Sequence, residues 1–164
     1  MEHQLVLALQ IACAMILGGV IGVEREVADK PAGFRTHMLI AGAAAAIVGL
    51  SMALIREFQG QSLSVRGDPV RVIEAIFTGL SFLGAGTIMR RDKGEHVEGL
   101  TTASSILIVA AIGVASALSL WILAVSLCVM TLLILRCLHW VQWWIDDRRK
   151  AGAKIVVENL PREL

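Results

Sequence analysis

The sequence predicts an all-α membrane protein, a polytopic bundle of about five transmembrane helices. First, 56% of its 164 residues are hydrophobic, above the roughly 45–50% of a typical soluble domain. Second, the hydrophobic residues gather in long blocks and the charged residues lie in the gaps, which is typical of a polytopic membrane protein. The net charge is only +1, and without the basic tract of a nucleic-acid-binding protein we expect no nucleic-acid partner.

Five blocks approach the length of about 20 residues that a helix needs to cross a bilayer core of about 30 Å. The predicted spans are residues 5–23, 38–55, 72–89, 100–118 and 120–138. Residues 1–139 then form a transmembrane domain, and residues 140–164 form an amphipathic, basic tail. The last two spans share one long apolar run, which we divide at Ser119.

The distribution of lysine and arginine predicts an orientation. These residues concentrate in the loops 24–37 and 90–98 and at the C-terminal end from Arg136 onward, and five spans put all three regions on one side. Because positive charge favours the cytoplasmic side, we expect the N-terminus outside and the C-terminus in the cytoplasm.

Small residues mark faces where helices can approach closely in a membrane. A GxxxG pair lies in the first span, with glycine tolerated there by chance as the alternative. A stripe of small residues runs along one face of the second span. The third span contains three closely spaced glycines. We expect the segment 79–91 at the centre of the bundle. The predicted packing positions are Gly18, Gly22, Gly42, Ala46, Gly79, Gly84 and Gly86.

A stripe of polar residues runs along one face of the third predicted span. Asp68 precedes Pro69 as a helix cap would, and Glu74, Thr78 and Ser81 recur at helical spacing. A carboxyl group inside a span is costly and usually faces protein or water, so we predict an ion or polar pathway. Alternatively, Glu74 lies at the membrane surface, close to Arg71. The pathway residues are Asp68, Arg71, Glu74, Thr78 and Ser81.

A second polar set falls on the predicted cytoplasmic face. It suggests a site at the mouth of the close-packed helices, with a solvated loop as an equal alternative. The set consists of Glu24, Arg25, Arg35, His37, Thr101 and Thr102.

The sequence carries no nucleophile–base spacing and no metal signature, so we expect no catalytic residues and no enzyme. Mg²⁺ keeps several waters and accepts one or two carboxylates. A weakly held, hydrated Mg²⁺ near Asp68 and Glu74 would fit that chemistry, and we expect no other cofactor.

Several stretches of the sequence resemble the MgtC/SapB family of bacterial membrane proteins. They occur in the family's order and cover roughly residues 10–118. The stretches are GGVIGVERE from Gly18, KPAGFRTHML from Lys30, DPVR from Asp68, GLSFLGAG from Gly79 and GLTTAS from Gly99. The resemblance implies a multi-pass protein of the bacterial inner membrane with about five spans, here in a short form without the family's C-terminal soluble domain.

The resemblance also implies a link to Mg²⁺ homeostasis and leaves two hypotheses. In the first, the protein transports a cation such as Mg²⁺. In the second, it transports nothing and regulates another membrane complex, which it binds through small-residue helix faces. Under either hypothesis the expected partners are the lipid bilayer and a second copy in a homo-oligomer, with a dimer as our prediction.

Overall fold

The computed structural model describes residues 2–61, 68–90 and 97–137. Five helices occupy the five predicted blocks, which confirms the predicted helical bundle. They are α1 (Glu2–Val27), α2 (Phe34–Gln61), α3 (Pro69–Thr87), α4 (Leu100–Ala117) and α5 (Trp121–Cys137). The predicted tail, residues 140–164, lies outside the described residues.

Four of these helices, α1 to α4, are long and apolar enough to cross a membrane. The fifth, α5, is apolar and has 17 described residues, the lower limit for a span. The orientation of the bundle in a membrane stays a prediction.

The centre of the bundle is built from α1, α2 and α4, with α1 antiparallel to the other two. Small residues allow the close approach. A Cβ added at Gly18 would lie 2.7 Å from the Cβ of Ala41 in α2, and one added at Gly42 would lie 2.7 Å from Cγ of Met15 in α1. A Cβ at Gly113 in α4 would collide with the carbonyl oxygen of Ala41. Close helix contact of this kind is what small residues provide in membranes.

Helix α3 lies at the edge of the bundle, so the expected central position of segment 79–91 is wrong for its residues in α3. Of an apolar 18-residue stretch in each helix, 56% of the residues are buried in α4 but only 11% in α3. A Cβ at Gly79 or Gly86 would meet nothing within 4 Å, which corrects their assignment as packing positions within this chain. Gly84 is buried and faces Ala103 of α4. The glycine content of α3 was the misleading signal, because it does not say which side of the helix is covered.

The end of α3 is tied to the start of α4. Two-residue strands β1 (Met89–Arg90) and β2 (Val97–Glu98) pair antiparallel between the helices. Gly99 has a φ of 95°, and a Cβ there would collide with the carbonyl oxygen of Thr87. Glycine is therefore needed at this position both for its backbone conformation and for the close contact.

The turn between α4 and α5 is centred on Ser119, where the sequence analysis divided the long apolar run. Ser119 has a positive φ of 58°, and the amide of Leu120 donates to the carbonyl of Ala115 at 2.9 Å. This left-handed residue and its returning hydrogen bond are typical of a helix C-terminus.

By packing, residues 1–131 form one compact unit. Of the second unit, residues 132–164, the structure describes only the last turns of α5.

Candidate functional site

Four residues of the predicted cytoplasmic-face set lie where α1 ends and α2 and α4 begin. They are Glu24, Arg25, His37 and Thr102. Arg25, His37 and Thr102 are buried there. We call this group, together with Ser105, the buried polar cluster. Burial of charged and polar groups is costly unless they are hydrogen-bonded. Among the described residues, every buried side-chain nitrogen and oxygen has a hydrogen-bond partner.

Arg25 is held by the residue before it. Its Nε donates to Oε2 of Glu24 at 2.6 Å, and its Nη2 donates to Oε1 at 2.8 Å. The side chains are 5% and 13% exposed. A two-point contact of this kind fixes the guanidinium geometry and neutralises both charges. The turn after α1 adds a further bond, because the amide of Lys30 donates to the carbonyl of Arg25 at 3.0 Å.

His37 is fully buried and connects α2 to α4. Its Nδ1 lies 2.9 Å from the carbonyl oxygen of Gly33, and its Nε2 lies 3.0 Å from Oγ of Ser105. A carbonyl oxygen can only accept, so Nδ1 carries a proton and donates to Gly33. The Ser105 hydroxyl also lies 2.8 Å from the carbonyl of Thr102.

The Ser105 hydroxyl has one proton for two acceptors. With a neutral imidazole, Nε2 can only accept, and the Ser105 proton goes either to His37 or to the carbonyl of Thr102. With a doubly protonated imidazole, Nε2 donates to Ser105 and the hydroxyl proton is free for Thr102. A change in the protonation of His37 would therefore change the hydrogen bonds that connect α2 to α4.

The remaining two residues of the predicted cytoplasmic-face set are not in this cluster. Arg35 and Thr101 are exposed. Ser105 and Glu26 are not among the site residues predicted from the sequence. Ser105 falls three residues after Thr102, on the same helical face, which is a signal that could have identified it. Glu26 accepts from the amide of Phe34 at 2.8 Å and so caps the start of α2.

The predicted pathway residues occupy the outward face of α3, which we define as Arg71, Glu74, Thr78, Ser81 and Ala85. All five are exposed. The carboxylate of Asp68 accepts from the amide of Val70 at 2.9 Å, which makes Asp68 the N-cap of α3.

The polar groups on this outward face hydrogen-bond mostly to their own helix. The hydroxyl of Thr78 donates to the carbonyl of Glu74 at 2.8 Å, and that of Ser81 donates to the carbonyl of Phe77 at 2.7 Å. Asp68 and Arg71 form a loose ion pair of 3.9 Å. Within the described chain, no other helix is packed over these residues, so the face is open to lipid or to another protein.

The two polar regions differ in what they could bind. The buried polar cluster is satisfied internally, and its carboxylate is already neutralised by Arg25. The outward face of α3 presents Glu74 without such a partner among the described residues. Those residues contain no group of three histidine, cysteine or acidic side chains placed to hold a metal ion. A hydrated cation needs only one or two carboxylates, and Glu74 would suit that chemistry.

The sequence profile of the MgtC family matches residues 11–144. The chain belongs to the MgtC family. This confirms the resemblance on which the sequence analysis relied. Together with four helices of membrane-spanning length and composition, it makes the chain a membrane protein.

Related proteins of known sequence cover most of the chain. An "Uncharacterized protein" of Haemophilus influenzae is 34% identical over 158 residues, which are 94% of this chain and 66% of that protein. The "Putative magnesium transporter YhiD" of Escherichia coli is 37% identical over 132 residues, 80% of this chain and 60% of that protein. The protein MgtC of Salmonella typhimurium is 39% identical over 106 residues, 65% of this chain and 41% of that protein.

This MgtC-family chain thus spans about two thirds or less of the length of these three relatives. No solved structure matches it.

Proposed function

We propose that this MgtC-family protein transports a cation, with Mg²⁺ as the first candidate, as a homodimer in the bacterial inner membrane. The observation that carries the proposal is the position of Glu74 on the uncovered face of a helix long enough to span the membrane. The "Putative magnesium transporter" name of one relative supports Mg²⁺ as the ion.

The location of Glu74 explains why a second copy is part of the proposal. Glu74 lies five residues after Pro69, or about 7.5 Å along the helix axis. A carboxylate at such a depth is rarely left against lipid. Helices of two copies related by an axis along the membrane normal run parallel, so the outward faces of their α3 helices meet at equal depth. Two Glu74 carboxylates would then face each other, a number that suits hydrated Mg²⁺.

The rest of the outward face also suits this pairing. Arg71 pairs with Asp68 of its own chain at 3.9 Å, which leaves the two Glu74 carboxylates to the cation. Thr78, Ser81 and Ala85 continue the contact with small or hydroxylated side chains, which allow two helices to approach closely.

The test is Mg²⁺ uptake into proteoliposomes that contain only this protein. Glu74→Gln should abolish uptake, whereas Glu2→Gln, the same change at an exposed position in the first turn of α1, should leave it unchanged. Because Glu74 is exposed, its substitution disturbs no packing inside the chain, and circular dichroism should confirm an unchanged helix content. Unchanged uptake in Glu74→Gln would refute the site.

A second candidate function is regulation of another membrane complex without transport. The observation that favours it is the open space at Gly79 and Gly86, which a helix of a different protein could occupy. Gly79→Leu and Gly86→Leu should then block the partner without a clash inside this chain. Absence of uptake in well-folded wild-type protein, with loss of a co-purifying membrane protein in these variants, would favour regulation over transport.

A further inference from the structure

A cavity opens at the end of the bundle opposite the buried polar cluster. It has a volume of about 410 Å³, within the range of about 300–1,000 Å³ that is usual for small-molecule sites. The start of α1, the end of α2 and the turn after α4 surround it. Its polar lining residues are His3, Gln10, Arg56 and Ser119.

The lining of this cavity is positively charged. Arg56 carries a permanent charge, and His3 adds an imidazole. No acidic side chain is among the described residues that line the cavity, and within the described part of the chain neither Asp nor Glu forms an ion pair with Arg56. An anionic group is therefore the complementary ligand.

The cavity is also amphipathic along its depth. From His3 to Gln10 it extends over seven residues of α1, or about 10 Å. Met52 and Leu118 contribute apolar surface, and both also line an adjoining apolar recess of about 60 Å³ between α2 and α3. Helix α1 has 26 residues, about 39 Å, and so extends beyond a core of about 30 Å. Because the predicted first span begins at Leu5, His3 would lie at headgroup level and Gln10 in the upper acyl region.

The backbone at Ser119 favours a role for its side chain. Ser119 has a left-handed φ of 58°, a conformation in which glycine is usual. Its hydroxyl accepts from Nε2 of Gln10 at 2.8 Å. Serine at this position thus keeps a polar group at the cavity wall, in a backbone conformation that glycine would adopt more easily.

We propose that this cavity binds the headgroup of an anionic phospholipid. Arg56 contacts the phosphate, Gln10 and Ser119 bind the headgroup hydroxyls, and an acyl chain follows Met52 and Leu118. This site is independent of Glu74 and of transport.

The test is native mass spectrometry of the full chain in detergent, titrated with phosphatidylglycerol, with phosphatidylcholine of the same acyl chains and with glycerol 1-phosphate. Both lipids carry the phosphate, but the choline cation of phosphatidylcholine is repelled by Arg56 and offers no hydroxyls to Gln10 and Ser119. Phosphatidylglycerol should therefore bind about tenfold more tightly. Arg56→Gln should remove that difference. Lys30→Gln removes the same charge from an exposed turn at the other end of the bundle and should preserve it.

Ser119→Gly provides a second variant that separates binding from folding. It removes the hydroxyl but suits the backbone conformation, so affinity for phosphatidylglycerol should fall several-fold, by about the contribution of one hydrogen bond, while the melting temperature does not fall. Equal binding of the two lipids, unchanged selectivity in Arg56→Gln, or equally tight binding of free glycerol 1-phosphate would each overturn the proposal.

Discussion

Alanine substitutions at three glycines should separate the covered and uncovered helix faces. At Gly18, the added Cβ would lie 2.7 Å from both the Ala41 Cβ and the carbonyl oxygen of His37. A backbone oxygen cannot rotate away, so α1 must move from α2. At Gly79 an added Cβ would meet nothing within 4 Å, and at Gly84 its nearest neighbour would be Ala103 at 3.5 Å, an ordinary contact.

The magnitude follows from a comparison among these variants. Each exchange of glycine for alanine contributes the same helix-propensity gain, at most about 1 kcal/mol, which cancels when variants are compared. The remaining difference is the overpacking cost, about 1–3 kcal/mol. Gly18→Ala should therefore unfold about 2–12 °C below Gly79→Ala, since 1 kcal/mol corresponds to about 2–4 °C for a chain of this size.

The assay is thermal unfolding in detergent, followed by circular dichroism at a concentration where size-exclusion chromatography gives one chain per particle. Gly84→Ala should behave like Gly79→Ala. Equal melting temperatures for Gly18→Ala and Gly79→Ala would refute the helix arrangement, because α3 would then be as tightly covered as α1.

Three further predictions concern hydrogen bonds and charge. Glu24→Leu should destabilise the fold by about 3–5 kcal/mol, because the buried Arg25 loses its partner, whereas the double change with Arg25→Leu should cost much less. Chemical denaturation of the two single variants and the double variant measures these costs, and additive costs would contradict the prediction. Ser105→Ala should cost about 1–3 kcal/mol, since Nε2 of a buried histidine loses its partner, whereas Ser116→Ala, which removes only a bond to the carbonyl of Ile112 in its own helix, should cost less in the same assay. Asp68→Ala should cost about 1 kcal/mol through loss of the N-cap, and Asp68→Asn should cost little; equal stability of the two variants would count against the cap.

The helices could be predicted because their signal is local. Hydrophobic blocks, the Asp68–Pro69 start of α3 and the break at Ser119 each depend on a few neighbouring residues, and the structure has a helix or a turn at each. The grouping of Glu24, Arg25, His37 and Thr102 at one end also followed from topology alone, because antiparallel helices bring alternate loops together.

The position of α3 could not be predicted from its composition. Glycine allows close approach but does not specify which neighbour approaches, and Gly18 and Gly79 look alike in sequence although only one is covered. The bond between His37 and Ser105 joins residues 68 positions apart, so it depends on how α2 and α4 pack. Pairwise packing of this kind carries no local pattern.

The connection between α3 and α4 separates the two polar regions of the protein. The strand pair and the contact between Thr87 and Gly99 tie the C-terminal end of α3 to the start of α4, where the buried polar cluster lies. Glu74 lies 13 residues from Thr87, or about 20 Å along the helix axis. At that distance a substitution in one region should leave the geometry of the other intact.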